Sequence, residues 1–386
     1  MRRLLPALIL LTLLGIVPSA SAAVPKNWLG VSFGPEYVAR KAKAGLGAEL
    51  ARMRRSGVGT ARFAVYWLHM QPYPRMAAVP PAQRSAYRDV GGIPTDFRFL
   101  DALVGTAAQK RLPLMPVVLG APTWATDDTN RAVYVPRSPA DYARFIDTLV
   151  RRYGPTGTFW TEHPDVRYFP VRTWQVWNEI SNSHYWDKSW AKTYPPLLRG
   201  AYDAIKAADP QARVVQSGLN SGEAGTSWHA QDVLYDQFDK QGLGRPFDEV
   251  ATHVYTRRVP DAVKVVEETR QVLQRHDDGA RPIRVTELAW PAAKGRLRDA
   301  DGKKRDFFAA TTDKGMAKRL VAGVMRLANN RTRLRISGVD WFQWASSYKG
   351  TDDAFRYSGL RRARGKRLTD KPAMKAFRRV AKRLRR

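Results

Sequence analysis

Eight apolar, β-prone runs recur along this chain, and stretches of helical periodicity separate them. The runs are 28–34, 58–67, 112–120, 171–178, 212–219, 248–255, 282–288 and 334–344. Apolar residues at helical spacing fill 48–55, 97–111, 138–154, 194–210, 259–276, 313–330 and 371–386. No helical run is assigned between the fifth and sixth strands. Ser138 stands where a helix N-cap accepts a backbone N–H, and Pro139 suits the first helical position. Pro210 marks the end of the fourth helical run. Eight strands alternating with helices predict a single (β/α)8 TIM barrel. A doubly wound open sheet is the alternative, but the turn after the first strand, SFGPEY, has one glycine and no phosphate-binding loop. The length of 386 residues and the apolar fraction of 44% suit one large core.

The first 22 residues do not fit that pattern. Arg2 and Arg3 precede an apolar run from Leu4 to Val17, and Ala20-Ser21-Ala22 is a small-x-small cleavage sequence. This is the layout of an export signal, with a retained N-terminal anchor as the alternative. The expected division is a signal over 1–22 and a barrel over 23–386. No later apolar run is long enough to span a membrane. Exported, extracellular or wall-associated proteins often carry disulfides, yet the chain has no cysteine. Its core must hold it together, and thiol catalysis and thiolate metal sites are excluded. The formal net charge of +30 favours anionic partners, including acidic polysaccharide.

In a barrel of this kind the chemistry sits where strands end at the C-terminal face. Two strands end on a carboxylate. TWQVWNE places Glu179 at the tip of strand four, and RPIRVTEL places Glu287 at the tip of strand seven. A buried glutamate is costly unless it is paired or hydrogen-bonded, so two of them suggest a pair across one cleft. Paired carboxylates are what glycoside hydrolysis requires: one protonates the leaving oxygen and the other attacks or activates water. Candidate helpers are Arg62 in strand two, Asn178 beside Glu179, and His253 and Tyr255 on one side of strand six. Trp341 and Trp344 lie on strand eight, where alternation turns only one of them inward.

W-N-E, V-T-E-L, H-x-Y and the Trp-rich eighth strand together resemble the clan A retaining glycoside hydrolases. The likeness runs from about residue 28 to 382 and is nearest to family 39-like and family 5-like, cellulase-like bacterial members. The resemblance implies that Glu179 is the general acid/base and Glu287 the nucleophile. It implies that Asn178 binds a sugar 2-hydroxyl, that Arg62 keeps the nucleophile ionised and that Tyr255 hydrogen-bonds it. His253 matches a nearby pocket histidine. Trp344, and less closely Trp341, match a tryptophan that floors the sugar site.

Trp124 and Trp290 sit in βα loops where a sugar ring can stack, as do Trp67, His69, Tyr185 and Trp186. The six histidines form no H-E-x-x-H pattern, and there is no G-x-S-x-G elbow or P-loop. No metal and no cofactor is expected. The expected partner is a carbohydrate, an acidic polysaccharide among the options, with no specific nucleic acid and a monomeric chain. The alternative function is an inactive barrel that binds carbohydrate or an anionic wall polymer. The basic tail, with Met374, Phe377, Val380 and Leu384 at helical spacing, reads as a last helix docked on the barrel rather than a membrane face. Two long connections are left over. Residues 72–94 are a candidate wall of the cleft. The basic loop 291–310 favours an acidic substrate if it folds over the cleft.

Overall fold

The computed structural model describes residues 24–130, 133–220, 227–346 and 352–385. The export-signal reading therefore lies outside the described residues. Eight parallel strands form the sheet: β1 Leu29–Ser32, β2 Ala61–Tyr66, β3 Leu114–Leu119, β4 Thr173–Val176, β5 Arg213–Val215, β6 Val250–Val254, β7 Ile283–Leu288 and β8 Ile336–Phe342. They pair in the order β5-β4-β3-β2-β1-β8-β7-β6. The ring closes because the chain just past β5 returns to β6: Val215 bridges Glu249, and Leu219–Asn220 pairs with Thr252 and His253. All eight predicted strands are present.

A helix follows each strand: α1 Gly45–Arg55, α2 Arg98–Gln109, α3 Pro139–Tyr153, α4 Trp190–Ala208, α5 Ser227–Lys240, α6 Asp261–Arg275, α7 Asp313–Asn329 and α8 Pro372–Arg383. Ser138 caps α3 as expected, its Oγ accepting from the Asp141 N–H at 3.3 Å. α4 starts at Trp190, four residues before the predicted start. α5 has no counterpart in the predicted pattern. Its buried side chains Leu234, Tyr235 and Phe238 are few, and a buried Gln231 interrupts the apolar stripe. α8 buries Met374, Phe377 and Val380 against the barrel, so the basic tail is a docked helix. Among the described residues, no helix is long and apolar enough to cross a membrane.

The lower barrel holds charge rather than hydrocarbon. Arg284 Nε lies 3.0 Å from Asp340, with both side chains almost fully buried. Glu249 is 4.0 Å from Arg284 and 3.1 Å from Arg213. Gly30 is required beside this cluster, since a Cβ there would lie 1.8 Å from the Asp340 carboxylate.

Lys371, just before α8, is fully buried between Asp313 at 3.2 Å and the Tyr357 carbonyl at 2.8 Å. Burial pulls its ammonium down from 10.5 to about 8, against the pull of Asp313. Between those values the unfolded chain binds the extra proton, so this group makes stability rise with pH. Relative to Lys371→Met, the wild type should gain about 2 kcal/mol from pH 8 to pH 10. Urea melts at the two pH values measure this, and parallel curves would refute it.

Candidate active site

The end of β4 is held in an unusual backbone shape. Trp177 and Glu179 both have left-handed φ, +68° and +43°. Such residues cost about 1–3 kcal/mol each and persist where the surroundings over-determine them, typically at functional sites. Here the Trp177 N–H donates to Val118 O at 3.0 Å, and the Glu179 N–H donates to Gly218 O at 3.0 Å. The Ile180 N–H donates to Ser217 Oγ at 3.3 Å. The strand tip is thus tied to β3 on one side and to the chain past β5 on the other.

Glu179 is buried, and each of its oxygens has a partner. Oε1 meets His253 Nδ1 at 2.7 Å, and Oε2 accepts from Asn182 Nδ2 at 2.9 Å. Burial pushes its carboxyl up. The His253 hydrogen bond and charge, the Asn182 amide and Arg62 outweigh burial, so it lies below the ordinary carboxylate range. His253 is completely buried, and Gly218 passes so close that a Cβ there would lie 2.2 Å from His253 Nε2.

Glu287 comes from β7, where a register shift at Thr286 sets it opposite His253. Such an irregularity re-aims a side chain at a strand end. Arg62 Nη1 donates to Glu287 Oε1 at 2.7 Å, and the Tyr255 hydroxyl donates to Oε2. Burial and the charges of Glu287 and Glu179 push the Tyr255 phenol well above its ordinary range, so it remains a donor. Arg62 also donates to Asn178 Oδ1 at 2.7 Å and to Gln175 Oε1 at 2.8 Å. One oxygen from each glutamate and one His253 nitrogen lie within 4.8 Å of one another. These are donor types a cation accepts, but the Arg62 guanidinium already supplies positive charge beside Glu287.

The structure therefore unites Glu179, Glu287, Arg62, Asn178, His253 and Tyr255. A cleft of 230 Å³ reaches Arg62, Asn178 and Glu287 of this group and is walled by Phe33, Phe63, Tyr66, Tyr185, Phe342 and Gln343. A second hollow of 220 Å³ shares Phe63, Ala64 and Tyr66 and continues to His69, Asp96 and Phe99. A larger one of 550 Å³ lies on the flank between α1 and α2, away from these carboxylates.

The four tryptophans expected at the sugar site are elsewhere. Asp340 and Phe342 take the inward face of β8, which turns Trp341 outward, where its Nε1–H donates to Ser358 O at 3.1 Å. Trp344 lies beyond the strand, fully buried, and donates to Glu49 at 3.0 Å. Trp290 is sealed against α7, so close that a Cβ on Gly323 would lie 2.5 Å from its ring. Trp124 packs edge-on against Trp67 at 5.6 Å and donates to Gln71 O. Phe342 and Tyr185 take the places at the cleft, and Gln175, which sequence reasoning passed over, anchors Arg62. Residues 72–94 do not line the cleft. Arg88 is drawn instead to Glu162 at 2.7 Å.

No protein-family model and no curated protein matches the chain. Solved structures do match it. A family 39 glycoside hydrolase from the gut symbiont Bacteroides cellulosilyticus WH2 superposes with a TM-score of 0.60 at 16% identity, over 94% of this chain and 64% of its own. A family 39 enzyme from Xanthomonas axonopodis pv. citri gives 0.62 at 20% identity, over 92% of this chain and 66% of that one. A family 5 enzyme variant from Streptomyces cattleya, in complex with Manβ1-4GlcNAc, gives 0.61 at 16%, over 93% and 81%. The barrel fold is that of these enzymes. At these identities the likeness is one of fold, and this chain spans just under two thirds of the first enzyme's length.

Proposed function

We propose that this protein is a retaining glycoside hydrolase acting on an oligosaccharide or polysaccharide. The observation that carries the proposal is the convergence of Glu179 and Glu287, both buried, with one oxygen of each within 4.8 Å, beside a cleft that Glu287 lines. Retaining enzymes hold their carboxyl groups about 5–5.5 Å apart, and inverting ones about 6.5–9.5 Å to admit a water. The short separation supports double displacement.

The contacts support a role for each residue. Glu287 is held by two donors, Arg62 and Tyr255. It attacks the anomeric carbon and forms a glycosyl ester. Glu179 gives a proton to the departing oxygen, then takes one from the water that hydrolyses the ester. His253 Nδ1 at 2.7 Å and Asn182 Nδ2 at 2.9 Å hold the Glu179 carboxyl in place for this exchange. The Asn178 amide nitrogen is left for a sugar hydroxyl, because its oxygen is committed to Arg62. The aromatic walls and the adjoining hollow suit a chain of sugars better than a single one.

Reducing-end release from neutral and acidic polysaccharides and aryl glycosides tests the activity. Proton NMR of the first anomer formed tests retention. A first product of inverted configuration, or no release by folded protein, would refute the respective claim. The proposal also places the protein outside the cell, on the strength of the segment 1–22. N-terminal sequencing of exported protein that still begins at Met1 would count against signal cleavage.

A further inference from the structure

Beside the catalytic cleft lies a second hollow of 460 Å³, lined by Arg257, Lys294, Asp306, Phe307, Phe308 and Arg319, with Ala310 and Thr311. Its three cations come from three different elements: the loop after β6, the loop after β7, and α7. None of the three has a carboxylate partner among the described residues. Other surface arginines do pair, as Arg258 does with Asp261 at 2.9 Å. Among the described residues, Asp306 is the only carboxylate in the lining. Arg319 is half-buried, and its guanidinium donates to Ala309 O at 3.3 Å, which ties it to the wall of the hollow.

A row of packed rings links the wall of the hollow to the site. Phe307 packs on Phe355 at 5.3 Å, and Phe355 packs on Tyr255 at 4.6 Å and on Phe342 at 5.8 Å. Tyr255 holds Glu287, and Phe342 lines the cleft. The basic loop 291–310 therefore folds back toward the reaction centre. Of its six cations, Lys294 is the one that lines the hollow.

We propose that this hollow binds a uronate carboxylate carried by the saccharide chain. The substrate is then an acidic glycan whose scissile bond lies between Glu179 and Glu287. Unpaired guanidinium and ammonium groups in a partly enclosed site form charge-assisted hydrogen bonds with such oxyanions. The row of rings offers apolar surface to the sugar between the two points. The inference rests on the glycoside hydrolase reading for the identity of the chain that bears the charge.

The test separates the two. Glu287→Ala, which cannot turn substrate over on that reading, is titrated calorimetrically with oligouronates of several backbones and with their carboxyl-reduced, neutral counterparts. The same titrations are run after adding Arg257→Ser and Lys294→Ser, both at exposed positions. Expected is binding of at least one oligouronate, about tenfold weaker without the two cations at low salt, with its neutral counterpart indifferent to them. Equal affinity with and without the cations, or no binding across the panel, overturns the proposal. Inorganic phosphate forms a further arm: if it binds alone with the same affinity and the same dependence, the hollow takes free anions and the substrate assignment falls. Cation-dependent binding by a protein that hydrolyses nothing as wild type would keep the site and sink the glycosidase.

Discussion

Glu287→Ala is expected to lower turnover by about 10⁴-fold or more while leaving the barrel folded. On the proposed mechanism this removes the nucleophile and abolishes the covalent step, and Glu179, assigned to the leaving oxygen, does not replace it. The fold should tolerate the change, since Arg62 retains its bonds to Gln175 and Asn178. The space vacated by the carboxylate still faces two donors, Arg62 and Tyr255. A small anion such as azide can settle there, attack the anomeric carbon of an activated aryl glycoside, and release a glycosyl azide of inverted configuration. Rate recovery that saturates with azide, with that product identified by NMR, is the expected outcome. A Glu287→Ala enzyme that retains wild-type activity would remove this residue from the mechanism.

Arg284→Met should be the most damaging change outside the cleft. It leaves Asp340 fully buried with its nearest cation gone, and breaking one side of such a pair costs about 3–5 kcal/mol. Burial already pushes the Asp340 carboxyl up, even with Arg284 bonded to it. The remedy is therefore to remove the charge: Arg284→Met/Asp340→Asn should recover most of the loss. Urea melts of the two single variants and the double variant measure the coupling. A double variant as unstable as the sum of the singles would show that packing, not charge, sets the cost.

Much of the architecture was legible because each strand is a short apolar run bounded by helical periodicity. Glu179 and Glu287 were legible because a carboxylate at the end of such a run needs a reason. What periodicity does not convey is which parity faces inward when both faces of a strand are covered. In β8 the rule that one of Trp341 and Trp344 points inward fails, because Asp340 and Phe342 take the inward parity and Trp344 lies past the strand. The same limit applies to Gln175, an unremarkable amide between two tryptophan-bearing positions until Arg62 is seen to reach it. α5 was missed for a different reason: its few large apolar residues are separated by the exposed Asp236 and Asp239 and by the buried amide of Gln231.

Among the described residues no tryptophan lines the cleft, which has a spectroscopic consequence. The indoles of Trp67, Trp174, Trp177, Trp186, Trp290, Trp341 and Trp344 are all sealed in the core, whereas the cleft wall is phenylalanine and tyrosine. Indole emission should follow unfolding and remain nearly silent when a sugar binds, while near-ultraviolet absorbance of Tyr66 and Tyr185 should respond to occupancy. Two optical channels in one unlabelled sample would then separate loss of structure from gain of ligand.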